Sequence, residues 1–250
     1  MVTEVAGEQL AGLARYGSVH LLDEVGSTND YALSLAAKHV TAIVIARRQT
    51  KGRGRFKRHW FSDDASLIAS LLVFTDAPDF PHSSFLSHLA GLALSRAIGE
   101  VAGLATQIRW PNDIVHKDKK LAGILCEGRR SAVAVGIGLN VNQESFPEDL
   151  PDAGSLRIAT CRPWDKLALF ESFLREMFAG IDRAVKGNSA QVLADIKDRS
   201  AIMHRRVEVH TLLRRHIGTV IDLDSEGRVV LRTDSGRLLV LGAGDVRRLR

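Results

Sequence analysis

The chain has 250 residues, 45% of them hydrophobic and 25% charged, which is enough apolar material for a core and argues against a disordered chain. Its 34 basic residues face 29 acidic ones. That balance permits an anionic partner but is less lopsided than a whole-surface nucleic-acid binder requires. Two cysteines, Cys126 and Cys161, cannot build a framework of bridges and form no C-x-x-C pair.

The opening MVTEVAGEQL is acidic and lacks a long apolar core, so it does not read as a signal peptide. No apolar run approaches ~18 residues, so no membrane span is expected. These features point to a cytoplasmic protein with free thiols.

Residues 4–15 carry apolar positions at helical spacing. Ser18 to Val25 reads as a strand. Ser27, Thr28 and Asn29 are helix-capping types ahead of an Ala/Leu-rich run to Lys38. Thr41 to Ala46 is a short buried strand, and Ser66 to Phe74 is a second. Ser83 or Ser84 can cap a long helix ending near Gly103. Gln107–Val115, Lys120–Glu127 and Ala132–Leu139 read as a three-stranded meander with short connections. A polar stretch from Asn142 to Pro163 is long for a loop, which hints at function or disorder. Helices are expected over Trp164–Val185 and Ala190–Ile196. From about Ile202 the pattern changes to four or five short strands separated by turns, the mark of a small barrel. The expected organisation is an α+β main domain over residues 1–201 and a barrel over residues 202–250.

Between the first two buried strands lies RRQTKGRGRFKRHW, Arg47 to Trp60. Seven of its first twelve residues are cationic, and Gly52 and Gly54 sit within the run. Glycine lets backbone N–H groups approach an anion, and arginine offers a planar fork for phosphate or carboxylate. Phe56 or Trp60 could stack a base. A nucleotide loop, an RNA-binding segment and a solvated charged loop all fit, because GRGR matches neither the Walker pattern nor G-x-G-x-x-G.

Three further motifs are open in the same way. In RWPND, Asn112 and Asp113 set an amide beside a carboxylate, suited to hydrated Mg²⁺, to a ribose and phosphate edge, or simply to a turn. In KKLAGIL, Lys120 stands at the start of an apolar strand and Gly123 leaves room over it, although a solvated hairpin mouth has the same look. In VGIGLNVN, Gly136 and Gly138 share one strand face, continued by Asn140. Such a face can floor a ligand or pack closely against a helix.

In this order the motifs closely resemble the biotin protein ligase (biotin–[acetyl-CoA-carboxylase] ligase) family. The resemblance covers GSTND at Gly26–Asp30, the GRGR loop ending in HWFS, RWPND, KLAGIL, GIGLNVN and the terminal GDVRRLR. It implies a mixed sheet flanked by helices, of the class II aminoacyl-tRNA synthetase-like type, with a Src-homology-3-like C-terminal barrel. It implies activation of biotin by ATP to biotinyl-5′-AMP with loss of pyrophosphate. Transfer to a lysine of a biotin carboxyl carrier domain follows, with release of AMP.

By resemblance, Lys120, Arg53 and Arg55 act at the reacting centre. Ser27, Thr28, Asn29, Gln49, Gly52, Gly54, Gly123, Gly136 and Gly138 join them around biotin. Trp60, Asn112 and Asn140, with Arg55 and Lys120, serve the nucleotide. Asp113 serves Mg²⁺. The 25 residues before Gly26 are too few for a helix-turn-helix domain. The monofunctional type without DNA binding is therefore expected, as a homodimer with no membrane association. Phe56 and Lys57 depart from the family's arginine–glycine continuation, Arg109 replaces a usual lysine, and Lys51 a commonly small residue. Lipoate ligase is the nearest rival, and a nucleic-acid-binding module is the rival of another class.

Overall fold

The computed structural model describes residues 10–76, 83–211 and 214–248. Its main element is a seven-stranded sheet in the order β1-β2-β3-β7-β6-β5-β4. The strands are β1 Ser18–Val25, β2 Ala42–Gln49, β3 Ser66–Phe74, β4 Gln107–Arg109, β5 Asp113–His116, β6 Lys119–Arg129 and β7 Ala132–Asn140. β1 and β2 pair in parallel, and every other neighbour pairs antiparallel.

Period-two patterning divides the sheet's faces by size. Along β7, Val133, Val135, Ile137 and Leu139 enter the main core, whereas Ala132, Ala134, Gly136, Gly138 and Asn140 alternate with them. The bulky face packs on helices α2 (Ser83–Ala102) and α4 (Lys166–Arg183). α4 starts at Asp165, whose carboxylate accepts from Leu167 N and Ala168 N. It buries Phe170 and Phe173 completely. Truncating either to alanine should cost about 3–5 kcal/mol. The small-residue face carries the short helix α1 (Thr28–Ser34), which closes over Ala42, Val44, Leu72, Ala132 and Ala134 through Ala32. Because α1 is short, the glycine end of that face stays open, and this opening is the cleft.

Two further short helices complete the main unit: α3 (Leu156–Thr160), inside the long polar stretch, and α5 (Ser189–Asp198). A second sheet, β11-β10-β9-β8-β12, is built from β8 Arg206–His210, β9 Arg215–Leu223, β10 Val229–Thr233, β11 Leu238–Leu241 and β12 Asp245–Arg248. β11 and β12 are its edges and do not pair with each other among the described residues. Val207, Val209, Val220, Leu223, Val229 and Leu231 join the main core cluster.

Several boundaries differ from expectation. Gln107–Val115 is not one strand: a turn at Trp110–Asn112 folds it into the antiparallel pair β4–β5. Asn112 Nδ2 donates to Ile124 O at 2.7 Å and holds that turn. Arg47, Arg48 and Gln49 belong to β2, not to a loop. α1 ends at Ser34, and a separate 3₁₀ turn covers Ala36–Lys38. α2 already includes Ser83 and Ser84, so the position that caps it lies outside the described residues. Residues 10–14 of the first expected helix are helical, while its residues 4–9 lie outside the described residues.

Candidate active site

A cleft of about 480 Å³ opens on the small-residue face. Ser27, Thr28, Asn29, Gln49, Arg53, Gly54, Arg55, Trp60, Asn112, Asp113, Lys120, Gly123, Gly136, Gly138 and Asn140 all line it. Gly52 does not; it sits behind the wall, its carbonyl accepting from Trp60 N at 3.2 Å.

One end of the cleft is neutral. Ser27 caps α1, its hydroxyl accepting from Asp30 N at 3.5 Å. Thr28 N and Oγ1 both donate to Gln49 Oε1, at 2.7 and 3.0 Å. The fully buried Ser70 hydroxyl lies 2.7 Å from both Thr28 Oγ1 and Asn29 Oδ1. Asn29 Nδ2 donates to Leu125 O at 3.0 Å and to Glu127 Oε2 at 2.7 Å.

Gly136 and Gly138 are required by contact. A Cβ on Gly136 would overlap the Asn29 amide, and one on Gly138 would overlap the Trp60 indole. Trp60 therefore lies flat on the floor made by Gly138 and Gly123, and its Nε1 is buried without a hydrogen-bond partner.

The other end is charged. Lys120 Nζ is 2.6 Å from Asp113 Oδ1 and 5.4 Å from the Trp60 ring centre. Arg109 Nη2 donates to Asp113 Oδ2 at 3.1 Å. Lys120 reaches this face through a bulge. Ile114 pairs with Ala122 while Val115 pairs with Lys120, leaving Leu121 as the extra residue. Strict alternation from Gly123 would have turned Lys120 to the core face; the bulge re-aims it and buries Leu121 instead. Lys120 N and O also bond Asp152 O and Gly154 N, at 2.7 and 2.9 Å, and Asn140 Nδ2 donates to Gly154 O at 2.9 Å. Asn140 thus fastens the rim loop.

The cationic run has structure rather than bare repulsion. Arg47 bonds Asp64 at 3.1 Å, and Arg48 bonds Glu24. Arg53 bonds Asp30 and Glu127. Arg55 Nη1 donates to Gly244 O at 2.9 Å and lies 3.9 Å from Asp245, which also holds Arg58. All five arginines thus have acidic partners, so like-charge repulsion does not describe this segment. Burial lowers the Arg55 pKa, while the bond to Asp30, followed by that to Glu127, raises the Arg53 pKa. Phe56 and Lys57 both adopt left-handed backbone, φ 55° and 58°, a conformation that glycine takes at no steric cost.

Asp113, the residue expected to serve Mg²⁺, is ion-paired here. Both Asp113 oxygens are engaged by cations, and the described residues contain no group of three His, Cys, Asp or Glu able to hold a metal ion. Residues missed from the sequence are Ser70, Glu127, Asp30 and Asp245. Each meets the site through a partner far away in the chain.

His88 and Trp110 bind the second sheet to the main one. Trp110 Nε1 donates to Gly227 O at 2.9 Å. Burial pushes the pKa of His88 down to about 4, against a backbone hydrogen bond with Gly227 that raises it.

A family model described as "Biotin/lipoate A/B protein ligase family" matches residues 22–144. The chain is 34% identical over 254 residues to the biotin--[acetyl-CoA-carboxylase] ligase of Mycobacterium tuberculosis, covering 97% of this chain and 94% of that one. It is 32% identical to the bifunctional ligase/repressor BirA of Bacillus subtilis, covering 87% of this chain and 70% of that one. Among solved structures, the biotin protein ligase from Aquifex aeolicus in complex with biotin and ATP matches with a TM-score of 0.83 at 27% identity, covering 93% of this chain and 99% of that one. With the open glycine floor and the paired cations at its far end, this chain belongs to the biotin protein ligases of the biotin/lipoate A/B protein ligase family.

Proposed function

We infer that the chain is a ligase that activates biotin with ATP and passes it to a lysine of a carboxyl carrier protein. The biotin carboxylate attacks the α-phosphorus of ATP. A carboxylate–phosphorus bond forms, the bridge to the β-phosphate breaks, and pyrophosphate leaves. The carrier amine then attacks the acyl carbon and AMP departs, with the amine's surplus proton going to solvent.

The observation that carries this reading is the cleft's division. A neutral amide and hydroxyl wall stands over a glycine floor at one end, and Lys120, Arg109 and Arg55 gather at the other. The wall suits the donors and acceptors of a ureido ring. The cations suit a carboxylate meeting a triphosphate, whose charge grows at the reacting centre. In this reading Lys120 and Arg55 draw the two anions together. Trp60 leaves the floor and packs beside the ligands, and Asn112 and Asn140 hold the turn and the rim near the nucleotide.

Residues 1–201 form the catalytic unit of this proposal and residues 202–250 an appended one that reaches the cleft through Gly244 and Asp245. The free Cys126 and Cys161 are consistent with a cytoplasmic setting. Among the described residues, edge strand β1 offers unpaired backbone for a homodimer, whereas β4 is bonded through Ile108 to Arg199 and Ala201. The acid-paired arginine run favours a ligase that does not bind DNA.

Biotin-dependent ATP–pyrophosphate exchange tests the reading, with lipoate as the parallel arm. Exchange driven by biotin and not by lipoate is the expected result; the reverse would overturn it.

A further inference from the structure

Arg53 and Arg55 are two residues apart in one turn, yet their guanidinium groups have different tasks. Arg53 Nε donates to Glu127 Oε1 at 3.1 Å. Its Nη1 and Nη2 donate to Asp30 Oδ2 and Oδ1 at 2.8 and 2.7 Å. Nη2 also reaches Glu127 Oε1 and Oε2 at 3.0 and 2.9 Å. All three nitrogens are therefore engaged by carboxylates, and two negative charges surround one positive charge. A phosphate brought to this position would meet an excess of negative charge.

Glu127 is the centre of the cluster. On β6 it follows Gly123 and Leu125 at alternate positions, so it stands on the cleft face. Besides Arg53 it accepts from Asn29 Nδ2 at 2.7 Å. Asn29 is in turn held by Leu125 O and the Ser70 hydroxyl. One carboxylate thus ties together β6, the start of α1 and the glycine–arginine turn. Arg53 and Glu127 side chains are only 26% and 30% exposed, so water screens their bonds weakly.

We propose that Glu127 is a positioning residue for the neutral end of the cleft, and that Arg53 is a strut of the biotin wall rather than a ligand of the reacting anions. The proposal rests on the ligase reading. It separates two arginines that the GRGR motif presents as equivalent. Asp30 supports the outer side of the strut, and Glu127 the inner side, where it also orients Asn29. Removing either partner of the inner contact should misplace the ureido-binding amide while leaving Lys120 and Arg55 in place.

The test uses full-length Glu127→Gln, Arg53→Ala and the double variant. Biotin affinity is measured by calorimetry without ATP, and the KM of ATP in pyrophosphate exchange. Glu127→Gln keeps shape and removes charge, and melting temperatures check that each variant folds. The expected result is biotin affinity weakened about tenfold or more in both single variants, with the KM of ATP shifted less than about threefold. The double variant should be no worse than the poorer single one, because both changes break one contact. A large rise in the KM of ATP for Arg53→Ala, with Glu127→Gln normal for both substrates, would overturn the proposal. Failure of the unaltered protein to bind biotin would instead reject the ligase reading.

Discussion

At the neutral end of the cleft, Gln49, Thr28, Ser70 and Asn29 are bonded in a continuous chain. At the charged end, Lys120 and Arg109 are matched to Asp113, while Arg55 and Arg58 meet Asp245. The first arrangement is fixed by buried hydrogen bonds and waits for a ring of complementary donors and acceptors. The second is a set of ion pairs, and in the proposed reading their carboxylates occupy the cations until the substrate anions arrive. In the proposed reading the ends divide the work, the neutral net setting recognition and the ion pairs chemistry.

The comparison is broken most directly at Lys120. Lys120→Ala should lower biotin-dependent pyrophosphate exchange about 100- to 1,000-fold, as expected for loss of a preorganised charge at the reacting centre. A rate within tenfold of the unaltered protein would remove Lys120 from the chemistry.

His88 probes the seam behind the charged end, where Gly227 docks. Its pKa of about 4 in the fold lies below the ordinary 6.5, so the unfolded chain binds the extra proton first. Its contribution to stability is complete above pH 6.5 and is lost as pH falls toward 4, on the order of 3 kcal/mol across that window. Urea unfolding at pH 7 and pH 5 should show the loss, and His88→Gln should show a shallower dependence. A stability that rises on acidification would contradict the assignment.

Gly138 sharpens the neutral side. Gly138→Ala forces its methyl against the Trp60 indole. Biotin affinity by calorimetry should fall about tenfold, because the floor is raised where the ring system lies. Unchanged affinity would mean that biotin does not use this floor.

Asp245 should give the smallest effect, with the opposite sign. Asp245→Asn releases the part-buried Arg55 and the exposed Arg58 from a shared carboxylate; the exposed pair with Arg58 contributes about 0–1 kcal/mol. The KM of ATP should fall about two- to fivefold. A rise would show that Asp245 orients the arginines rather than merely holding them.

Legibility in the sequence follows the range of the interaction. β1 and β3 were readable to the residue because apolar runs bounded by turn formers are local signals. So was the shared face of Gly136 and Gly138, which depends only on period two. The bulge at Leu121 was not readable, since it is defined by the partner strand's register. Nor was the task of Arg53, whose acids lie 23 and 74 positions away, nor the contact of Arg55 with Gly244, 189 positions on. The turn chemistry of P-N-D offered the break of Gln107–Val115 at Trp110–Asn112, whereas the carbonyl of Ile124 on β6 that anchors it is set by the fold.

The chain has three tryptophans, and Trp60 alone lies flat on the cleft floor with its indole N–H unbonded. Trp110 is buried and tied to Gly227, and Trp164 donates its indole N–H to Thr160. Emission from the protein therefore carries a built-in reporter. In the proposed reading, displacement of the Trp60 ring by a ligand changes the polarity and hydrogen bonding around this fluorophore, so occupancy can be followed optically without a label.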